Sequence, residues 1–151
     1  MRFVLLLMAL AAFVAPARAQ SLIKASDMDA IVELARGFGS ASIEKGDTTY
    51  VKGRIEGSLY AIFFYDCDKD GADCKSIQFY ASWDDAVVKP EAINEWNRDK
   101  RFAKAYIDNE DDPVLEMDVN LRHGVPRANL EDTIDWWRIS LERFKSEVLE
   151  P

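Results

Sequence analysis

The residues of this chain best suited to chemistry crowd into one stretch, YDCDKDGADCKSIQFY, from Tyr65 to Tyr80. It holds both cysteines, Cys67 and Cys74, and the aspartates Asp66, Asp68, Asp70 and Asp73. Three chemistries compete there. A thiol-redox site usually spaces its cysteines by two residues, and these are spaced by six. A calcium loop is suggested by Asp66-x-Asp68-x-Asp70-Gly71, which matches the first six positions of a helix-loop-helix calcium site. The twelfth position, where a bidentate glutamate belongs, is Ile77, and the flanks read as strands. Zinc needs more ligands than two cysteines and a single histidine supply nearby. The remaining reading is a disulfide across the mouth of a β-hairpin. LYAIFFYD (Leu59 to Asp66) and KSIQFYASW (Lys75 to Trp83) are rich in aromatic and β-branched residues, and Lys69-Asp70-Gly71-Ala72 is a turn signal. Asp66, Asp68 and Asp70 stay as a weak cation site beside it. A small cation-dependent enzyme or calcium module built on the Asp66–Asp73 loop is the alternative function.

Other candidates are thinner. His123 sits in Arg122-His123-Gly124-Val125-Pro126, a turn-rich loop before a helix, with no nucleophile motif near it. Asp84-Asp85 and Glu110-Asp111-Asp112 are carboxylate groups at element boundaries, where solvated turns are expected. No glycine-rich phosphate loop is present. These residues predict no enzyme and no cofactor.

The elements that must position the hairpin follow from periodicity. Met28, Ile31, Val32, Ala35 and Phe38 recur at helical spacing after Ser26-Asp27. Strands are expected at Ala41–Lys45 and Thr49–Glu56, then the two arms of the cysteine hairpin. Pro90 opens a second helix carrying Ile93, Trp96 and Asn97, with Asn97 at the edge of its buried face. Phe102–Asp108 is a strand. Leu115, Met117, Val119 and Leu121 alternate with Glu116, Asp118 and Asn120, predicting a strand with one wet face. A last helix from Pro126 carries Leu130, Ile134, Trp137, Leu141, Phe144 and Val148 as a core stripe. The order is helix, four strands, helix, two strands, helix. Hairpin-length connections make this α+β, with helices packed on an antiparallel sheet.

The bridge also predicts a register. If Cys67 faces Cys74, Phe64 opposes Ile77 and Ile62 opposes Phe79 on one face. Tyr65 then opposes Ser76, Phe63 opposes Gln78, and Ala61 opposes Tyr80 on the other. The first face should meet the helices. The second carries Leu59, Phe63, Tyr65 and Tyr80, costly to leave wet if contiguous, and so a candidate surface for an unidentified protein partner or a second copy of the chain.

Composition sets the setting. The chain has 151 residues, with 19 basic and 27 acidic side chains and a net charge of −8. Arg2, the apolar run Phe3 to Val14 and Ala17-Arg18-Ala19 read as a cleavable signal peptide over 1–19, too short to span a bilayer. The mature chain then starts at Gln20, has no membrane segment, and belongs in the periplasm, where paired cysteines persist. Its acidity disfavours nucleic acid and anionic lipid.

The segment WNRDKRFAKAYIDNEDDPVLEMDVNL, Trp96 to Leu121, resembles the YbjN domain family, as does the Trp-bearing terminal helix after it. The most specific matches are Trp96-Asn97, Arg101-Phe102, Asp112-Pro113-Val114 and Met117-Asp118. The resemblance spans Ser26 to Leu149 and defines a single domain over 26–149. It implies an α+β fold similar to type III secretion chaperones and the label of sensory transduction regulator. It also implies membership of an exported subgroup whose paired cysteines correspond to Cys67 and Cys74. It supplies no catalytic residues.

Overall fold

A computed structural model describes residues 21–84 and 86–150. The expected signal peptide and Asp85 lie outside the described residues. The elements run β1 (Leu22–Ile23), α1 (Met28–Arg36), β2 (Ser40–Glu44), β3 (Tyr50–Ile55), β4 (Ser58–Tyr65) and β5 (Ser76–Ser82). They continue with α2 (Pro90–Asp99), β6 (Lys104–Ile107), β7 (Pro113–Asn120), β8 (Val125–Pro126) and α3 (Arg127–Phe144). α3 ends in a π-helical turn, Lys145–Leu149. The fold is α+β: six antiparallel strands in the order β2-β3-β4-β5-β7-β6, with the core between one face of the sheet and the helices.

Local chemistry accounts for most boundaries. Pro90 occupies the first turn of α2, where its missing N–H costs nothing. Glu56 and Gly57, both at positive φ, make the two-residue turn between β3 and β4, whose twist matches paired strands. Asp27 stands at the start of α1 as its sequence suggests, but its carboxylate turns back to accept the Lys24 N–H at 2.8 Å. Gly53 is required by packing: a Cβ there would lie 2.4 Å from the Tyr60 ring, which crosses it from the next strand. Burial pushes the Tyr60 phenol up to about 12.

The predicted stripe of α3 is the spine of the core. Leu130, Ile134, Trp137, Leu141 and Phe144 are fully buried. Trp137 lies on Phe79 of β5, 5.5 Å between ring centroids. Phe144 meets Trp83 at 5.2 Å and the edge of Trp96 at 5.1 Å. Each such side chain contributes roughly 1.5–3 kcal/mol through removal from water. A small second sheet, β1 with β8, pairs Ile23 with Val125 and ties the start of the described chain to the start of α3. Two-residue strands leave no periodic trace, so this sheet was not visible in the sequence.

Candidate functional site

The β4–β5 hairpin closes with a Cys67–Cys74 disulfide. Its pairs are Ala61↔Tyr80, Ile62↔Phe79, Phe63↔Gln78, Phe64↔Ile77 and Tyr65↔Ser76, the alignment that a Cys67–Cys74 bridge demands. Strand side chains alternate between faces, so this register sends Ile62, Ile77 and Phe79 inward, each fully buried. Leu59, Phe63, Tyr65 and Tyr80 go to the opposite face, where Leu59 is 49% and Tyr65 46% exposed. Phe63 and Tyr80 are half-buried against each other, 5.8 Å between centroids. Tyr50 of β3 extends the strip, 5.5 Å from Phe63. It was missed in the sequence because the bridge aligns only β4 with β5; the β3–β4 pairing brings it in.

Toward β7 and β6 the same face becomes polar. Tyr65 Oη donates to Gln78 Oε1 at 3.2 Å. Gln78 Nε2 donates to Asp118 Oδ1 at 2.8 Å and to Glu116 Oε2 at 3.3 Å. Tyr106 Oη donates to Glu116 Oε1 at 2.8 Å, and Lys104 Nζ reaches Glu116 at 3.0 Å and Asp118 at 3.4 Å. The expected wet face of β7 is therefore corrected at Glu116, which is only 8% exposed. Tyr106 and Lys104 from the neighbouring strand cover it and satisfy its oxygens. Burial first, and then the hydrogen bond to Glu116, raises the Tyr106 phenol. The Glu116 hydrogen bond likewise raises the Lys104 ammonium.

The acidic loop is built differently from a cation cage. Asp68 Oδ1 accepts the N–H groups of Asp70 and Ala72 at 3.1 and 2.8 Å. Asp66 Oδ2 accepts Ser76 Oγ at 3.4 Å, and Asp73 pairs with Lys75. The Lys75 hydrogen bond and charge hold the Asp73 carboxyl below the usual range. Strands flank the loop on both sides. Among the described residues no group of three or more His, Cys, Asp or Glu side chains could hold a metal ion. His123 lies exposed in the β7–β8 loop and belongs to no such group. Asn97 hydrogen-bonds the edge strand β6: its Nδ2 donates to the Ala105 carbonyl and its Oδ1 accepts the Ala105 N–H, both at 2.8 Å. It occupies backbone groups that would otherwise invite another strand.

Residues 27–150 match the family YbjN, described as "Putative bacterial sensory transduction regulator". The chain belongs to the YbjN family. Among solved structures the chain is similar to "YbjN, a putative transcription regulator from E. coli". The two are 18% identical with a TM-score of 0.51, over 87% of this chain and all of that one. At that identity the likeness speaks for the YbjN fold alone. No curated protein matches the chain.

Proposed function

We propose that this YbjN-family chain is an exported, non-enzymatic interaction domain with a regulatory role, and that it self-associates through the open face of its sheet. The carrying observation is the continuous strip Tyr50–Phe63–Tyr80 with exposed Leu59 and Tyr65, on the side opposite the helix-packed core. A strip of that kind favours a covering partner. A second copy suits it by charge. Lys52 and Arg54 of β3 flank the strip on one side, and Glu116 and Asp118 of β7, which Lys104 neutralises in part, flank it on the other. A two-fold axis parallel to the strands sets β3 of each copy over β7 of the other, and such an interface is self-complementary.

The Asp68 carboxylate is engaged in holding its own loop, which supports a structural role for that loop and a domain without catalysis. Export to the periplasm rests on the leader pattern of residues 1–19, and the bonded cysteines fit an oxidising compartment. The domain would then be 26–149, following a cleaved leader. Light scattering on the purified mature chain tests self-association. A dimer that Leu59→Asp or Phe63→Asp converts to monomer is the expected result. A wild-type monomer at high micromolar concentration would remove the reading. N-terminal mass spectrometry of the periplasmic fraction should find Gln20 first.

A further inference from the structure

A second surface, away from the sheet face, forms where α2 ends and α3 passes. Phe102 and Trp136 stack there, 4.6 Å between centroids, yet remain 46% and 37% exposed. With Ile139, Ser140, Lys100, Arg101 and Arg143 they line a cleft of about 210 Å³. Trp136, Ile139, Ser140 and Arg143 occupy one face of α3 by their spacing of three, four and seven. Trp137, one residue along, is in the core instead.

The cations of this cleft are the unusual feature. Among the described arginines, Arg36 and Arg54 donate to backbone carbonyls, and Arg98, Arg127 and Arg138 to carboxylates. Among the described residues, Arg101, Arg122 and Arg143 have no hydrogen-bond acceptor or ion-pair partner for their guanidinium groups. Two of those three line this one cleft, in a chain whose net charge is −8. Arg101 stacks over Phe102, 5.0 Å from the ring centroid. Asp99, the cleft's carboxylate, is taken by Arg98, and Lys100 by Glu147. The wall thus offers two part-exposed aromatic rings beside two guanidinium groups with donors to spare. Guanidinium forks match carboxylates in geometry, and aromatic planes take flat rings.

The geometry points to a binding site for a small, free aromatic carboxylate, its ring against Phe102–Trp136 and its anion between Arg101 and Arg143. The volume falls below the roughly 300–1,000 Å³ of sites for larger ligands, which suits a single-ring molecule. This site does not depend on the sheet-face dimer.

The test uses ¹⁵N-labelled purified protein titrated with phenylacetate, phenylacetamide and acetate, following the Trp136 indole N–H. Saturable shifts with phenylacetate, confined to Trp136 and its neighbours, are expected. Phenylacetamide, which lacks the charge, and acetate, which lacks the ring, should each bind weaker by a factor of about ten or more. Arg101→Gln and Arg143→Gln should each weaken phenylacetate about tenfold. Both side chains are exposed, so the fold survives, and an unchanged spectrum elsewhere verifies it. Equal response to acid and amide overturns the proposal, as does no saturable shift at high millimolar phenylacetate. Tighter capture of a peptide ending in phenylalanine reassigns the cleft to a protein terminus and overturns the small-molecule assignment.

Discussion

Two hairpin tips of this molecule share one five-residue turn, Asp68 to Ala72 and Asp108 to Asp112, and only the first is closed by a covalent bond. At the β4–β5 tip, Asp68 Oδ1 accepts the N–H groups two and four residues on, and the Asp68 N–H donates to the Ala72 carbonyl. At the β6–β7 tip, Asp108 Oδ1 accepts the N–H groups of Glu110 and Asp112 at 2.9 and 3.0 Å. The Asp108 N–H donates to the Asp112 carbonyl at 3.0 Å. The fourth residue of each loop sits at positive φ, Gly71 at 73° and Asp111 at 66°. The first tip is closed by the disulfide; the second has none. The difference teaches that Asp68, one of the aspartates resembling a calcium loop, is a turn-forming residue, since the same carboxylate pattern recurs at Asp108, where no cysteine is near. An Asp side chain that mimics a backbone carbonyl is the common device.

The largest expected effect separates the tips by their cross-link. Replacing both Cys67 and Cys74 with alanine should cost about 2–3 kcal/mol in urea melts, because the bridge restrains the unfolded chain. Reductant should destabilise the wild type similarly and leave the double variant unchanged. A smaller loss in the double variant than in any loop-aspartate variant would show that the bridge adds little to a turn already held by Asp68.

Next comes the shared carboxylate. Asp108→Ala should cost about 1–2 kcal/mol, since two loop N–H groups lose their acceptor. Asp68→Ala should cost less in the bridged chain and about as much as Asp108→Ala once the bridge is removed, a coupling that a double-mutant cycle measures. Equal losses in both backgrounds would make bridge and carboxylate independent.

The fourth loop position gives a gain. Asp111→Gly should stabilise by about 0.5–1 kcal/mol by relieving positive φ, and Gly71→Ala should destabilise by a similar amount. A loss at Asp111→Gly in thermal melts would mean that its side chain has a role beyond the turn.

The smallest effect is none at all. Millimolar calcium should leave the melting temperature unchanged in the wild type and in variants of either tip, because a ligand of the folded state must raise it. A rise abolished by Asp66→Asn or Asp70→Asn, and untouched by Asp108→Ala, would restore a cation site to the first tip.

The β4–β5 register was legible because strand side chains alternate with period two, so one cross-link between known positions fixes every pair along the hairpin. The α3 stripe was legible for a related reason: six apolar residues at helical spacing have only one way to share a face. The polar side of the open face was harder. Glu116 alternates with apolar neighbours as a solvated residue would, and its burial comes from Tyr106 and Lys104 on the adjacent strand. Asn97 was placed by sequence at the edge of a helix face, but its bonding to β6 depends on where α2 docks.

By itself, then, the sequence determined the α+β class, the element order and the bridged hairpin with its two faces, all consequences of local periodicity, turn residues and one covalent bond. Only the tertiary structure decided that β7 lies beside β5, that β1 finds β8, that Asp108 repeats the role of Asp68, and that Phe102 meets Trp136 beside two unpaired arginines. Those outcomes join segments far apart in the chain. Which of them meet is set by how the buried faces of all the elements fit together at once, a property no single stretch of residues carries.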